Sequence, residues 1–338
     1  MTKMLTIKNC CVITLALVAL LLFSKNASAL TISPPKTELS ADPGSVLHGQ
    51  LKLINDERQS KTVYFLIRNF EAKNESGTPD FPEKQQNLAT WISIQPSATV
   101  GPKQDILVPY TITVPNNAEP SGYFAVIFAA SLPPGADGGG QVALGTDLGN
   151  LVLLRVNGNL TEGANILEFN TKDKKHWFSS LPIDFYYRFQ NNGDSWVKPL
   201  GDIVIKNIFG KNTKIVPTNA EGGNVLPRSI RRYEVSWLTL KGQVEDRSNA
   251  RPPEPPKDFW KKVGYEWRYS PLGLRYTAKL GLTFGATQDH DRASIVVWII
   301  PWHLLLVVIP SAILLLALLW FFIVRYNRYV IRQAQKKK

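Results

Sequence analysis

Apolar and polar residues alternate with a period of two along most of the chain between its two ends. Ile106, Val108, Tyr110, Ile112 and Val114 fall on one face of such a segment, with Leu107, Thr111 and Thr113 on the other. Ile183, Phe185, Tyr187 and Phe189 oppose Asp184, Tyr186 and Arg188, and Tyr233, Val235 and Trp237 oppose Arg232, Glu234 and Ser236. Tyr276, Ala278, Leu280, Leu282 and Phe284 share a face in the same way. Side chains of a strand point alternately to its two faces, so each segment predicts a strand with one face for a core and one for solvent. Further strands are predicted over residues 46–54, 62–70, 123–130, 151–156 and 202–208. Pro43-Gly44, Asn116-Asn117, Asn192-Gly193, Phe209-Gly210 and Gly222-Gly223 supply the tight turns between them.

No long stretch outside the termini shows a helical period. The fold class predicted is all-β: two tandem immunoglobulin-like β-sandwich domains followed by one transmembrane α-helix. The polar stretch NGNLTEG at residues 157–163 divides the strands into domains over residues 30–159 and 160–290. A charged and aromatic insertion at residues 245–268, containing the stiff RPPEPP, reads as a long loop of the second domain, with a stalk as the alternative. The segment 133–145, rich in Gly and Pro, reads as a hairpin loop. Its GGG lacks the Lys-Ser/Thr and the following helix that a phosphate loop needs. Pro109 within the strand 105–114 has no N–H to donate, which predicts an edge strand. Such an edge is a place for pairing with a client strand, although proline also protects an edge from pairing.

The two ends carry a different pattern. No Asp, Glu, Lys or Arg occurs in residues 304–324. At about 1.5 Å rise per residue this run spans roughly 30 Å, the thickness of a bilayer's hydrocarbon core. Residues 291–324 are read as a juxtamembrane segment and span, and residues 325–338 as a basic cytoplasmic tail with Arg325, Arg328, Arg332 and three terminal lysines. Cytoplasmic flanks collect such charge, so the tail is expected inside and the remainder outside, in a single-pass plasma-membrane topology. Trp298, Trp302, Trp320, Arg325 and Arg328 are the expected membrane-interface anchors. His303 at the outer end is either a proton or ligand group or, more simply, an interfacial polar residue. At the other terminus, Lys3 and Lys8 precede an apolar stretch ending in Ala27-Ser28-Ala29, which predicts a signal peptide over residues 1–29. Cys10 and Cys11, the only cysteines, fall within it, so the exported chain is expected to rely on buried apolar surface rather than disulfides.

The formal charge of +12 changes meaning once it is placed along the chain. Of the 39 basic residues, three fall in the leader and six in the tail, leaving 30 against 27 acidic residues between them. This near balance argues against nucleic acid as a partner. The lipid bilayer is the partner of the two ends. HExxH and GxSxG are absent, and the four histidines are scattered, with His48 in a strand, His176 in a charged turn, and His290 and His303 expected at the membrane. A paired-carboxylate site would come together only in the fold. The reading is non-enzymatic, with no cofactor and no metal site.

Among the ectodomain tryptophans, core packing is expected for Trp237 on its alternating strand. Trp260 and Trp267 lie in KDFWKKVGYEWR beside Lys261, Lys262 and Arg268, a pattern of exposed aromatics and cations that marks these five residues as a partner-contact candidate. The opening SPPKTELSADPGSVLHGQLKLIND resembles the start of a pilus-chaperone-like domain. WISIQPSATVGPKQDILVPYTITVPNNAEPSGYFAVIFAA, residues 91–130, resembles the first domain of WxL-interacting proteins of bacterial surfaces. FQNNGDSWVKPLGDIVIKNIFG and NVLPRSIRRYEVSW are similar to the domain that follows in that family. The resemblance implies peptidoglycan or another cell-wall polymer as a partner of the first domain, and other exported surface proteins as partners of the second. The insertion at 245–268 departs from the family pattern.

Overall fold

A computed structural model describes residues 30–133, 148–238, 254–271 and 274–336. The expected leader with its two cysteines, nearly all of the loop at 133–145, the first part of the 245–268 insertion, and Lys337 and Lys338 lie outside the described residues. The fold is all-β, built from immunoglobulin-like sandwiches, with one long apolar helix at the C-terminal end. The chain divides into two compact units: residues 1–70, 81–119 and 123–157 in the first, and residues 71–80, 120–122 and 158–338 in the second.

In the first unit, β1 (Leu30–Ser33) pairs antiparallel with β3 (Val46–Asn55), whereas β2 (Lys36–Ala41) pairs parallel with β11 (Leu148–Val156) of the other sheet. The chain therefore changes sheets at Pro34-Pro35. Proline suits the crossing because it donates to neither ladder. Asn150, fully buried in β11, ties the crossing down by donating to Pro34 O at 2.7 Å and Thr37 Oγ1 at 3.0 Å. One sheet is completed by β9 (Asp105–Thr113) and β7 (Ile92–Ile94), which follows a short helix α1 (Leu88–Trp91). The other is completed by β4 (Lys61–Asn69), β8 (Ser97–Val100) and β10 (Gly122–Ala130). Leu51, Leu53, Ile112, Ile127 and Leu154 are fully buried between them. Each such side chain contributes about 1.5–3 kcal/mol of transfer free energy, which is what holds a sandwich without a disulfide.

The second unit includes the small hairpin of β5 (Glu71–Ala72) and β6 (Pro79–Asp80). Its three-stranded sheet has the order β12 (Ala164–Thr171), β14 (Ile183–Asn191), β17 (Ser229–Trp237). The facing sheet has the order β13 (Trp177–Phe178), β19 (Asp289–Ile299), β18 (Arg275–Phe284), β15 (Leu200–Asn207), β16 (Asn212–Thr218). The core is aromatic: Phe185, Tyr187, Phe189 and Tyr276 are buried, and Trp237 packs edge-on against Tyr276 at 5.4 Å, as its alternation predicts.

Three expectations change here. Residues 291–299, read as leading into the span, form the strand β19, and all but the last of them pair with β18. Their apolar run IVVWII masked the alternation, because its proximity to the span offered a second reason for hydrophobicity. His290 consequently sits at the start of β19, about 30 Å along the strand from its other end, and its Nδ1 meets Thr283 Oγ1 at 3.0 Å. Residues 259–269 of the insertion, expected as loop or stalk, form the helix α2 (Phe259–Tyr269), started by Asp258, whose side chain accepts from Lys261 N–H. The third change is at Pro109. β9 lies between β3 and β7 over Tyr110–Ile112 and is an edge only over 105–109, where β7 has ended.

The hairpin at 71–80 is held within the second unit by Glu75, whose carboxylate accepts from Arg188 Nε at 2.7 Å and from Nη2, while its backbone oxygen accepts from Arg232 N–H at 2.6 Å. The Arg188 guanidinium holds the Glu75 carboxyl below its ordinary 4.5. A depressed folded value means that the contact stabilises fully above the unfolded value and is lost as pH falls through the folded one. Hydrogen exchange at residues 71–80 is therefore expected to stay slow at pH 6 and to accelerate below pH ~4. Arg188→Ala removes that acid step. Because both side chains are about one-third exposed, the contact is worth at most about 1 kcal/mol.

Candidate anchoring and partner-binding surfaces

After Ile300 and Pro301 the chain enters α3 (Trp302–Lys336). Residues 302–329 are long and apolar enough to cross a membrane, and none of the most apolar window is buried. That exposed apolar run has the length and composition that a bilayer's hydrocarbon core requires of a helix. Pro310 lies inside the helix and lacks the N–H that would bond one turn back, while the Ser311 hydroxyl donates to Val307 O at 2.7 Å. The basic residues at 325 onward continue the same helix to Lys336.

The first turn of α3 is fixed by a residue that sequence reading missed. Glu266 of α2 is only 2% exposed, and its carboxylate accepts from Leu304 N–H at 2.9 Å and from His303 Nδ1 at 2.7 Å. A helix begins with N–H groups that have no intrahelical acceptor and with the positive end of its dipole, and this carboxylate answers both. His303 at the outer end of α3 is thus bound to a buried acid. Its ring also meets the edge of Phe259 at 5.8 Å. Phe259 and Glu266 are two turns apart on one face of α2, so the start of α3 meets the middle of that face. The neighbouring face is held by Tyr265, which donates to Leu181 O at 3.2 Å, and by Tyr269 O, which accepts from Leu181 N–H.

These contacts decide where the partner-contact candidates point. At about 100° per residue, Trp260 and Trp267 fall side by side, with Lys261 and Arg268 next to them, all on the exposed face of α2. Lys262 falls on the other side and is half-buried. The structure thus brings together four of the five. Among the expected interface anchors, Trp298 is a strand residue stacked on Trp177 at 5.3 Å, whereas Trp302, Trp320, Arg325 and Arg328 lie exposed on α3.

The first unit offers an open sheet edge. β1 covers β3 only over residues 52–55, and among the described residues no strand pairs with residues 46–51 on the side away from β9. Val114 N–H donates to Ser45 O, and Asn55 N–H to Gln104 O, which assigns the odd-numbered residues of β3 to the ladder with β9. The backbone groups of Val46, His48 and Gln50 therefore face the open side. The same rule turns the Pro109 nitrogen away from β3, toward the uncovered part of its own strand.

Among the described residues, Glu75 and Glu168 are two carboxylates that share Arg188. Hydrogen bonds from Arg188 to Glu75 and from Tyr186 to Glu168 hold both acids below their ordinary range. A general acid needs the opposite shift, so this cluster has the electrostatics of a structural network. Among the described residues no group of three or more His, Cys, Asp and Glu gathers as a metal site would require.

No family model and no curated protein matches the chain. Among solved structures it is similar to the class 5 fimbriae chaperone CfaA, at 9% identity and a TM-score of 0.36, over 81% of this chain and 100% of that one. It is also similar to the CsuC-CsuE chaperone-tip adhesion subunit complex of Acinetobacter baumannii, at 10% identity and 0.35, over 79% and 98%. The E. coli chaperone DraB is similar at 11% identity and 0.34, over 79% and 98%. Likenesses of this strength carry no argument about what this chain binds.

Proposed function

We propose that this chain is a non-enzymatic binding protein anchored in the plasma membrane by α3, which displays its β-sandwich units outside the cell to hold a cell-wall polymer or another exported protein. The observation that carries the reading is the exposed apolar surface of residues 302–329, directly after the last strand of the second unit. The basic side chains beyond it favour a cytoplasmic C-terminus. The resemblance to WxL-interacting proteins is in keeping with wall and protein partners. The test is to extract membranes carrying the chain with alkaline carbonate and then to sediment the solubilised protein with isolated cell wall. Retention in the membrane pellet and co-sedimentation with wall at low and moderate salt are expected; release by carbonate overturns the anchoring, and failure to sediment overturns the wall partner.

The open edge of β3 favours a second reading, a tethered assembly component that captures a client's strand by backbone pairing along residues 46–51. Gln50→Pro removes an outward N–H and leaves the ladder with β9 intact, since Gly49 and Leu51 make those bonds. Its expected result is a folded protein that retrieves at least ten-fold less of any exported client. A client retrieved equally by both forms eliminates capture at this edge.

A further inference from the structure

The second unit gathers its most exposed apolar side chains at one end. The register of its larger sheet places Asn207 of β15 beside Tyr276 of β18, and Tyr276 beside Val297 of β19. One row further on, Arg275 stands beside Trp298, and Trp298 beside Trp177. The β15–β16 hairpin tip, Ile208-Phe209, therefore projects at the same end as Leu274, Trp177 and the exit of α3. The tip reaches about the level of Ile299, three residues or roughly 10 Å before the helix begins. Phe209 is 85% exposed, Trp267 75% and Trp260 69%, the three highest values among the described large apolar side chains outside α3, and Trp177 is 61% exposed. Trp260 and Trp267 belong to this end as well, because α2 is bound to the first turn of α3 through Glu266.

We infer that this end of the second unit rests in the lipid headgroup layer, with the Phe209 tip and the Trp260/Trp267 face of α2 as its contacts. The inference rests on the anchoring proposed above and deepens it. Phe209, Leu274 and the exposed face of α2 all stand at the end of the unit from which α3 leaves, so a bilayer that covers α3 reaches these side chains without a further partner. The chemistry agrees: indole rings with Lys261 and Arg268 alongside suit a layer that is apolar on one side and anionic on the other. An aqueous protein partner would have to fit between this patch and the lipid beside it. The contact would hold the second unit in a set posture on the membrane instead of leaving it to swing on α3.

The test uses the full chain in phosphatidylcholine liposomes with and without phosphatidylglycerol. Cys10 and Cys11 are replaced by Ser, and a bimane label is placed at one of Phe209→Cys, Trp267→Cys, Leu200→Cys or Leu315→Cys. Leu200 is an exposed residue at the opposite end of β15, and Leu315 lies in the middle of α3. Labels at 209 and 267 are expected to be quenched by shallow spin-labelled lipid at least three-fold more than the label at 200, and to be shielded from iodide. Equal iodide quenching at 209, 267 and 200, with the label at 315 still quenched by lipid, overturns the inference and leaves the anchoring standing. Iodide access at 315 would instead overturn the anchoring and this inference with it. Labels at 209 and 267 shielded from iodide yet untouched by lipid quencher would mean that protein, here a second copy of the chain, covers the face, which also overturns it.

Discussion

Trp237→Ala is expected to destabilise the second unit by about 3–5 kcal/mol, the range for removing a large aromatic from a packed core. Trp237 is fully buried at the end of β17, with its ring edge-on to Tyr276 across the sandwich. Tyr276 in turn lies in the row that joins β15, β18 and β19, so the cavity would open at the end from which α3 departs. Neighbouring Phe185 and Ile183 are themselves fully buried and are held in strands, which limits how far the site can collapse. Since a domain's whole stability is about 5–15 kcal/mol, a loss of this size is expected to move the unit's thermal transition down by roughly 10 °C or more. Hydrogen exchange on the detergent-solubilised chain checks it: protection should fall in β14, β17 and β18 and hold in β3 and β9. Trp177→Ala, at an exposed position where the ring stacks only on Trp298, should cost no more than about 1.5 kcal/mol. If the two substitutions proved equally mild, the aromatic core would not be what holds this unit.

That contrast between two tryptophans shows what a one-dimensional pattern can carry. Trp237 sits in strict alternation with Arg232, Glu234 and Ser236, so its inward direction is legible from sequence. Most strands of both units are legible for the same reason, whereas β10 is buried on both faces from Ala125 to Ala130 and shows as an apolar run instead. The long apolar helix is legible because its length and lack of charge show in the sequence itself. α2 is not, because its helical period is short, is interrupted by Gly264, and follows a run of prolines that suggests extended chain. The signal available was Asp258 before Phe259, an N-cap ahead of an amphipathic stretch. β19 is hidden because strand and helix merge into one apolar run, in which Trp298 is a sheet residue stacked on Trp177. The open edge of β3 and the gathering of Phe209 with Trp177 depend on pairing register, which joins residues up to 121 positions apart. Local pattern carries no such information, and Pro109 shows the limit: it reports an edge correctly for half of β9 and wrongly for the rest.

The link from sandwich to helix provides the second large effect. Glu266→Ala is expected to cost about 2–4 kcal/mol, because it removes a buried charge-assisted acceptor from two donors at once and leaves His303 and the Leu304 N–H without it. Part of that cost, about 1 kcal/mol, is the lost helix cap alone. Glu266→Gln separates the components: the amide oxygen can still accept from Leu304 N–H, but the charge that favours the helix N-terminus and the His303 hydrogen is gone, so an intermediate loss is expected. His303→Phe should relieve the donor and retain ring packing against Phe259, and combined with Glu266→Leu it should recover much of the stability, since replacing both members of a buried polar pair with apolar groups is often nearly neutral. The readouts are proteolysis between α2 and α3 in membranes and hydrogen exchange over residues 259–269, which should rise at least ten-fold in Glu266→Ala while β18 and β19 stay protected. Unchanged protection of α2 in that variant would show that the tyrosine contacts to Leu181 alone seat it, and that the carboxylate does not couple the sandwich to the span.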